Sequence, residues 1–575
     1  MLPAALVFCA LVGGPAWAES APDPRAAILP LAEVRPGMVG QAWTAFQGIK
    51  PEPFQVRVVS VIRNFLPKQD IILVRSDDPK VQGTGIAAGM SGSPVYVDGR
   101  LMGAVAYGWA FSKEPLAGVT PIESMQAEST RPQRTSDRPG PLGTAPVGEP
   151  RLQRVAVPLA VTGLSDQALS EVAEMVRPLG LLPVRAGGVG TRTDMAPGVL
   201  QPGVPVGAML VDGDLSATAM GTLTAIDGGN VLAFGHPMMG VGQVDLPLVL
   251  GEVHTIVPSL SSSMKLASPV AEIGALVQDR PAGVVGQLGR HAPRVAMNVR
   301  VVEGSAPARD FHCRLARHPK LLPVLASMVL TGAVADGVPE VSDMVLSLTT
   351  RLGVQGQGDV EINDQVFSPE GLSPRVLTTA RGLRAVTELL ANPFAPAVID
   401  HIDITIRVDH GRDVAEIVGA ALPGDRLRAG QTVPLRLWLR PYAGQEFMET
   451  VLVTLPASLA GRTVKVDVAS GAQVKPDVPR PQSLRGLMDN LGQSFPGSSL
   501  VVSLSTPEDG VSLRGQLLPS LPPSALDTID KPIHQARRAE SYRVTERSVF
   551  PGTRILTGKQ ELTIQVRGED ASVGP

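Results

Sequence analysis

Hydrophobic and polar positions alternate with a period of two along much of this chain, which predicts half-buried β-strands. The alternation is clear at Phe54, Val56 and Val58, where Gln55 and Arg57 intervene. Other short apolar segments end at Gly or Pro, and the chain holds 60 Gly and 53 Pro in 575 residues. Because many short strands bounded by turn residues are typical of barrels and sandwiches, we predict a mainly β protein.

Two tight hairpins are predicted within this pattern. The strands at 95–97 and 101–105 flank Asp98-Gly99, a favoured two-residue turn, and those at 222–226 and 231–234 flank residues 227–230 (DGGN). Helices are predicted at 166–177, around 319–334 and at 374–391, with Ser165 and Ser373 as the N-caps of the first and last.

The alternation returns in the C-terminal half. It begins at Ile402, Ile404 and Ile406 and recurs at 435–439 and 464–468. Strands at this spacing predict an immunoglobulin-like β-sandwich over 399–480. We expect a helical connector at 351–398 and an irregular C-terminal region at 481–575.

The first residues have the pattern of a secretory signal peptide. The apolar segment 2–14 is followed by Ala16-Trp17-Ala18, which predicts a signal peptide over 1–18 with cleavage after Ala18. The expected location is the periplasm or the outside of the cell, with no membrane span after cleavage. The stretch 126–150 is polar and rich in Pro, Ser, Thr and Gly, so we predict a linker there.

Composition argues against several other kinds of protein. The net charge is −3 and aromatic residues make up 3%, which disfavours nucleic-acid binding. Cys9 lies in the signal segment, so Cys313 is the one cysteine of the expected mature chain and no internal disulfide can form. His312 and His318 lie near Cys313 but lack a fourth ligand at a suitable spacing, so we predict no metal and no cofactor.

The hexapeptide 89–94 (GMSGSP) has the features of a nucleophile loop. Glycine two residues before Ser91 allows the N–H groups of Gly89 and Ser91 to face one point, where they would bind an oxyanion. A hairpin follows the serine, as in chymotrypsin-like β-barrels, and not the helix that follows the nucleophile of α/β-hydrolases. The alternative is a structural Gly/Ser turn between two strands.

A serine nucleophile needs a base, and among eight histidines we select His236. It lies in the segment 234–237 (FGHP), at the end of the second predicted hairpin. The edge of a barrel is a place from which an imidazole can reach a second barrel. The alternative is a turn histidine without catalytic function.

Two blocks, residues 84–125 and 221–289, resemble the SpoIVB peptidase family of serine peptidases. The first contains GMSGSP, a short turn and a Gly-Ala-Val strand; the second opens with GTLTAIDGGNVLAFGHPMMG. The resemblance implies Ser91 as nucleophile and His236 as its histidine. The aspartate of an Asp-Pro step matches Asp78, with Asp77 and Asp245 as alternatives.

This chain departs from the family pattern in two respects: the serine block precedes the histidine block, and no PDZ domain fits before it. We therefore predict a chymotrypsin-like double β-barrel with permuted half order, the serine half at 28–125 and the histidine half at 151–350. The predicted function is an exported serine endopeptidase that acts on a protein or peptide substrate, with a possible envelope partner bound through the sandwich. The alternatives are a non-catalytic envelope scaffold and a protein that processes only itself.

Overall fold

The computed structural model describes residues 23–67, 69–109, 111–130, 152–187, 200–338, 342–369, 371, 377, 379–513, 516–519 and 536–568. They fall into two compact units, Met1–Arg294 with Leu315–His318, and Val295–Arg314 with Pro319–Pro575. The predicted signal peptide, most of the predicted linker and the predicted N-cap Ser373 lie outside the described residues.

The first unit begins with a closed six-stranded barrel. Its elements are β1 (Val39–Thr44), β2 (Glu52–Leu66), β3 (Gln69–Arg75), α1 (Pro79–Gln82), β4 (Pro94–Val97), β5 (Arg100–Trp109), β6 (Leu116–Pro121) and the following α2 (Ile122–Ser129). The strands pair in the order β1-β2-β3-β6-β5-β4, and β4 pairs back to β1, which closes the ring. Phe54, Val56 and Val58 all face its core, as the alternation predicted.

A second closed barrel follows in the same unit. The elements of this part are β7 (Leu152–Arg154), β8 (Val157–Thr162), α3 (Asp166–Val176), β9 (Leu181–Arg185), β10 (Pro205–Gly213), β11 (Ser216–Asp227), β12 (Asn230–Ala233), β13 (Gly242–Val257), β14 (Met264–Arg280) and β15 (Gly283–Leu288). The strands of the ring pair in the order β10-β11-β12-β15-β14-β13, and β13 pairs back to β10.

The two rings share one topology, because each joins its strands in the order first, second, third, sixth, fifth, fourth. This confirms the predicted double barrel. Both predicted hairpins are present, with Asp98-Gly99 between β4 and β5 and with Gly228-Gly229 between β11 and β12. Ser165 caps α3 as predicted, since its hydroxyl accepts the N–H of Ala168.

The second unit contains a sheet covered by helices. Its elements are β16 (Arg294–Glu303), β17 (Arg309–Ala316), α4 (Leu322–Gly337), β18 (Met344–Val354), β19 (Gly358–Ser368), α5 (Arg381–Leu390) and β20 (Ile399–His410). β20 pairs with β18 and, in parallel, with β16. The segment predicted as a helical connector therefore holds the hairpin strand β19 as well as α5, and the predicted histidine half at 151–350 is too long, since its ring ends at β15.

A β-sandwich occupies the rest of the second unit. Its elements are β21 (Val414–Ala421), β22 (Arg426–Arg428), β23 (Thr432–Pro441), β24 (Phe447–Thr454), β25 (Thr463–Ser470), α6 (Leu484–Gly492), β26 (Leu500–Leu513), β27 (Gln516–Pro519), β28 (Ala536–Phe550), β29 (Ile555–Thr557) and β30 (Lys559–Arg567). One sheet has the order β24-β23-β21-β29 and the other β22-β30-β25-β26-β27, with β28 also paired to β26. The sandwich thus reaches into the region predicted to be irregular, because β26 and β30 flank its strand β25.

Within the described ranges, none of the helices has the length and apolar character needed to cross a bilayer.

Candidate active site

The GMSGSP loop lies between α1 and β4 and packs directly on the second barrel. Gly89 and Gly92 have φ of +89° and +95°, which L side chains rarely adopt. A Cβ at Gly92 would overlap the carbonyl oxygen of Thr222 and the amide nitrogen of Phe234. The glycine beside Ser91 is therefore required both by its backbone conformation and by the close approach of the two barrels.

Three backbone amides of this loop are used for folding. The N–H of Met90 donates to Ala87 O (3.0 Å), that of Gly92 to Val105 O (2.7 Å), and that of Ser93 to Met90 O (3.0 Å). The N–H groups of Gly89 and Ser91 have no hydrogen-bond partner among the described residues. These are the two groups that the sequence predicted as oxyanion donors.

Strand β11 clamps the serine loop through two threonines of its Gly-Thr-Leu-Thr segment. Thr222 donates its N–H to Ser91 O (2.8 Å) and its hydroxyl to Gly89 O (2.9 Å). The hydroxyl of Thr224 donates to Gly92 O (2.7 Å). The structure therefore brings the two blocks of the sequence into direct contact, although 133 residues separate Gly89 from Thr222.

His236 follows β12 through a turn formed by two residues of positive φ, Phe234 and Gly235. The turn is held against the first barrel, because the Thr120 hydroxyl donates to Gly235 O (2.6 Å). A Cβ at Gly235 would lie 3.2 Å from Val105 O, the same carbonyl that accepts the Gly92 N–H. The turn before His236 and the loop that carries Ser91 thus meet at one point of β5.

The reactive atoms of Ser91 and His236 are buried and unsatisfied. Ser91 is 0% exposed and His236 is 1% exposed. Ser91 Oγ and His236 Nε2 form no hydrogen bond, with each other or with any other group in the described part of the chain. Because buried polar atoms are nearly always paired, two orphans in one region indicate a reactive site.

The contact between His236 Nδ1 and the carbonyl oxygen of Pro237 indicates the tautomer of the ring. Nδ1 lies 2.8 Å from Pro237 O, and since a carbonyl can only accept, Nδ1 carries the proton. Nε2 then holds the lone pair that a general base needs. Burial lowers the pKa of His236 to about 4, and the charge of Arg154 adds to this shift, whereas the backbone groups of Pro237 and Val155 oppose it.

None of the three aspartates considered from the sequence contacts His236. Asp78 caps α1, accepting the N–H of Lys80 (3.0 Å) and that of Gln55 (2.9 Å). Asp245 pairs with the guanidinium of Arg290 at 2.9 Å. Asp77 is 66% exposed, and its nearest cation is that of Arg75 at 3.9 Å. The assignment of Asp78 as the acid of a triad stays a prediction.

A fourth aspartate, which the sequence did not reveal, holds the segment after His236. Asp279 is 1% exposed and accepts four backbone N–H groups at 2.7–3.3 Å, from residues 238–241. Burial raises its pKa, and the four donors oppose the shift. Asp279 lies next to the short turn between β14 and β15, where a polar residue normally indicates exposure, so its burial could not be read from the pattern.

Lys265 is a second buried ionisable residue that the sequence analysis missed. Its ammonium lies 2.5 Å from Thr44 Oγ1 and 3.4 Å from Thr222 Oγ1. The residue is 2% exposed, and burial lowers its pKa to about 7. Its position in β14 is in phase with the buried Ala267, which is the one signal in the sequence that could have placed it inside the barrel.

No group of three or more potential metal ligands is present among the residues that the structure describes. His312 instead contacts the side chain of Asn298 at 2.9 Å. Cys313 is buried and is not part of a disulfide.

Comparison with protein families gives one match. The family model of the SpoIVB peptidase S55 matches residues 21–125, the segment that contains the first barrel and Ser91. No curated protein and no solved structure matches the chain.

Proposed function

We propose that this chain is a serine endopeptidase with Ser91 as nucleophile and His236 as general base, because the model of the SpoIVB peptidase S55 family matches the segment that carries Ser91. The observation that carries the proposal is the pair of buried, unpartnered atoms, Ser91 Oγ and His236 Nε2, beside two unused backbone N–H groups. A nucleophile, a base in the correct tautomer and a pair of oxyanion donors are the parts that acyl transfer requires.

In the proposed reaction, His236 Nε2 accepts the proton of Ser91 Oγ while Oγ bonds to the scissile carbonyl carbon. The N–H groups of Gly89 and Ser91 donate to the resulting oxyanion. The imidazolium then transfers its proton to the leaving amine as the peptide C–N bond breaks. Nε2 then takes a proton from water as the water oxygen bonds to the acyl carbon; the C–Oγ bond breaks, and the imidazolium returns the proton to Ser91 Oγ as the acid product leaves. Throughout, Nδ1–H stays on Pro237 O, which keeps the ring oriented.

A fluorophosphonate probe tests the nucleophile. The wild-type protein should form one covalent adduct, located on Ser91 by mass spectrometry, and Ser91→Ala should form none. Ser93→Ala is the matched control, because Ser93 lies in the same loop, is also buried, and donates its hydroxyl to Met90 O (2.6 Å). Labelling of Ser91→Ala at the wild-type rate would refute the proposal.

A non-catalytic scaffold is the second candidate function, and it is favoured by the complete burial of both reactive residues. A scaffold of this kind would keep the double barrel for binding alone. It predicts that the folded wild-type protein takes up no probe at any concentration, whereas the peptidase predicts saturable labelling. An autoprocessing protein would instead be labelled and also show an internal cleavage in its mature chain.

The acid of the triad is part of the proposal, with Asp78 as the first choice and Asp245 as the alternative. If Asp78 orients the ring during turnover, Asp78→Asn should lower kcat by about 10⁴-fold. If the carbonyl of Pro237 is sufficient for this purpose, the loss should stay below about tenfold. A large loss for Asp245→Asn alone would transfer the role to Asp245.

We also propose that the peptidase is exported to the periplasm or beyond and cleaves a protein substrate in the cell envelope, with the sandwich as the surface for an envelope partner. The apolar segment 2–14 and the Ala16-Trp17-Ala18 pattern support export. N-terminal sequencing of the protein from its native host should find Glu19 as the first residue. A cytoplasmic protein that keeps residues 1–18 would refute this part.

A further inference from the structure

Lys265 is buried where β14 of the second barrel packs against Thr44 and the serine loop of the first, and no opposite charge on a described residue balances its ammonium form. The hydrogen-bond partners of its ammonium are two threonine hydroxyls, and within the described ranges no carboxylate forms an ion pair with it. Burying an ammonium without an opposite charge lowers the stability of a fold, and a methionine of similar length would fill an apolar site with a smaller loss of stability. Perturbed ionisable groups of this kind concentrate at functional sites.

A short chain of hydrogen bonds leads from Lys265 to the nucleophile loop. The single hydroxyl proton of Thr222 is donated to Gly89 O, so this hydroxyl can only accept from Lys265 Nζ. The N–H of Thr222 donates to Ser91 O. Lys265 therefore contacts Thr222. Thr222 in turn donates to the carbonyl oxygens of Gly89 and Ser91, which lie on either side of the Ser91 N–H.

The backbone of Lys265 touches the same loop. Its N–H donates to Ala88 O (2.9 Å), and the Ala88 N–H donates to Ser263 O (2.7 Å). A Cβ at Gly89 would lie 3.2 Å from the Cβ of Lys265, so the lysine stem packs against the glycine before the nucleophile. The main chain and the side chain of Lys265 therefore both act on the segment 88–91.

We infer that Lys265 is a positioning residue for the acylation step: through the Thr222 hydroxyl it fixes the backbone from Gly89 to Ser91, and with it the two N–H groups that face the oxyanion. The inference rests on the proposed peptidase function. Errors of about 1 Å in such a site lower rates by about 10²-fold, so a residue that does not touch substrate can control turnover.

The test compares Lys265→Met, Thr222→Val, Thr222→Ser and a control, Thr224→Val. The control removes the bond to Gly92 O, which does not depend on Lys265. The readout is the second-order rate of fluorophosphonate labelling, measured below the melting temperature of each variant. We expect Lys265→Met and Thr222→Val to be slower by about 10–100-fold and Thr222→Ser to stay within about threefold of wild type.

Double variants separate positioning from general damage to the fold. The double variant Lys265→Met/Thr222→Val should be labelled no more slowly than the slower of the two single variants, because both substitutions act through the Thr222 hydroxyl. Lys265→Met with Thr224→Val should show the product of the two single effects. The inference is refuted if folded Lys265→Met labels at the wild-type rate, or if its effect multiplies with that of Thr222→Val. If Lys265→Met does not fold, the labelling rates of Thr222→Val and Thr222→Ser decide: equal rates would refute the inference, because only Thr222→Ser keeps the hydroxyl that Lys265 contacts.

Hydrogen exchange keeps this inference separate from the peptidase proposal. If the wild-type protein takes up no probe, the peptidase proposal fails, and exchange at the bonded amides of Met90, Gly92 and Ser93 then decides the role of Lys265. Faster exchange in Lys265→Met and Thr222→Val than in Thr224→Val would support positioning. Wild-type protection in both variants would refute it.

Discussion

The two barrels share a strand order but bury different kinds of polar group. Between Val39 and Pro121, the residues of the first barrel that the structure describes bury no Asp, Glu, Lys, Arg or His; apart from Tyr96 and Tyr107, their buried polar residues are Thr44, Ser76, Ser91, Ser93 and Thr120. The second barrel buries four ionisable side chains, which are His236, Lys265, Asp279 and Arg280.

This difference indicates that the two barrels, which share one topology, contribute different groups to the proposed site. The first barrel presents a serine on a loop and needs only an apolar core for that purpose. The second barrel supplies the threonine clamp, the proposed base His236 and the buried ionisable groups, and buried ionisable groups lower stability unless they are paired. The loss of stability that the site causes therefore arises in the second barrel. Substitutions of polar residues should change the stability of the two barrels by different amounts.

The largest expected effect concerns Ser91 of the first barrel and His236 of the second. Ser91→Ala and His236→Ala should each lower kcat by about 10⁴–10⁶-fold, because neither residue works without the other. The double variant should be little worse than either single variant. Steady-state kinetics on a peptide substrate checks this, and losses that multiply would show that the two residues act separately.

A pair of aspartates, one in each barrel, tests the asymmetry in stability. Asp279→Asn removes the charge that accepts four backbone N–H groups and should lower the free energy of unfolding by about 3 kcal/mol. Asp78→Asn is the matched variant, since Asp78 also accepts backbone N–H groups, but at an exposed helix cap where asparagine is as good. Its change should stay within about 0.5 kcal/mol in urea unfolding. Equal changes would contradict the proposed difference between the barrels.

The pH dependence of labelling tests the burial of His236. Its pKa is lowered to about 4, so the base stays neutral well below the usual range of histidine. The labelling rate at pH 5 should therefore remain about 90% of its plateau, whereas a histidine with a pKa of about 6.5 would leave about 3%. An acid limb near pH 6.5 would show that the imidazole is solvated in the reactive form.

The smallest expected effect is a slope in stability that arises from Lys265. Its pKa is about 7 in the fold and 10.5 in the unfolded chain, so between these values the unfolded state binds one more proton. Stability should rise with pH in this window by about 1.4 kcal/mol per pH unit. Urea unfolding from pH 7 to 9 measures the slope, and Lys265→Met should reduce it by that amount. Substitution of the exposed Lys80 in the first barrel should leave it unchanged.

The pattern of the sequence predicts the fold well where one face of a strand is buried. The alternation at Phe54, Val56 and Val58 and the two turn sequences locate strands and hairpins, because period and turn chemistry are local properties. The conformation that leaves the N–H groups of Gly89 and Ser91 without a hydrogen-bond partner in the described ranges was predictable for the same reason. The loop conformation is encoded in its two glycines.

Residues whose function depends on distant partners were not predictable. Asp279 lies beside a turn, where a polar residue indicates exposure, and Lys265 is buried by contacts with Thr44 of the first barrel and with Thr222, which are far from it in the sequence. The extent of the sandwich was missed for a related reason: β26 and β30 both pair with β25, and β30 is separated from it by almost 100 residues, so neither partner strand carries a local turn signal that links it to β25.

The order of the two barrels has a consequence for the newly made protein. Thr222 follows Gly89 by 133 residues, which corresponds to about 7–27 s of translation at about 5–20 residues per second. During this interval the serine barrel can fold, but its loop lacks the threonine clamp and Ser91 lacks a base. An unactivated serine hydroxyl is a weak nucleophile. In the proposed peptidase, Ser91 of the emerging chain therefore has no base until the second barrel has been synthesised, and the site cannot become reactive before that time.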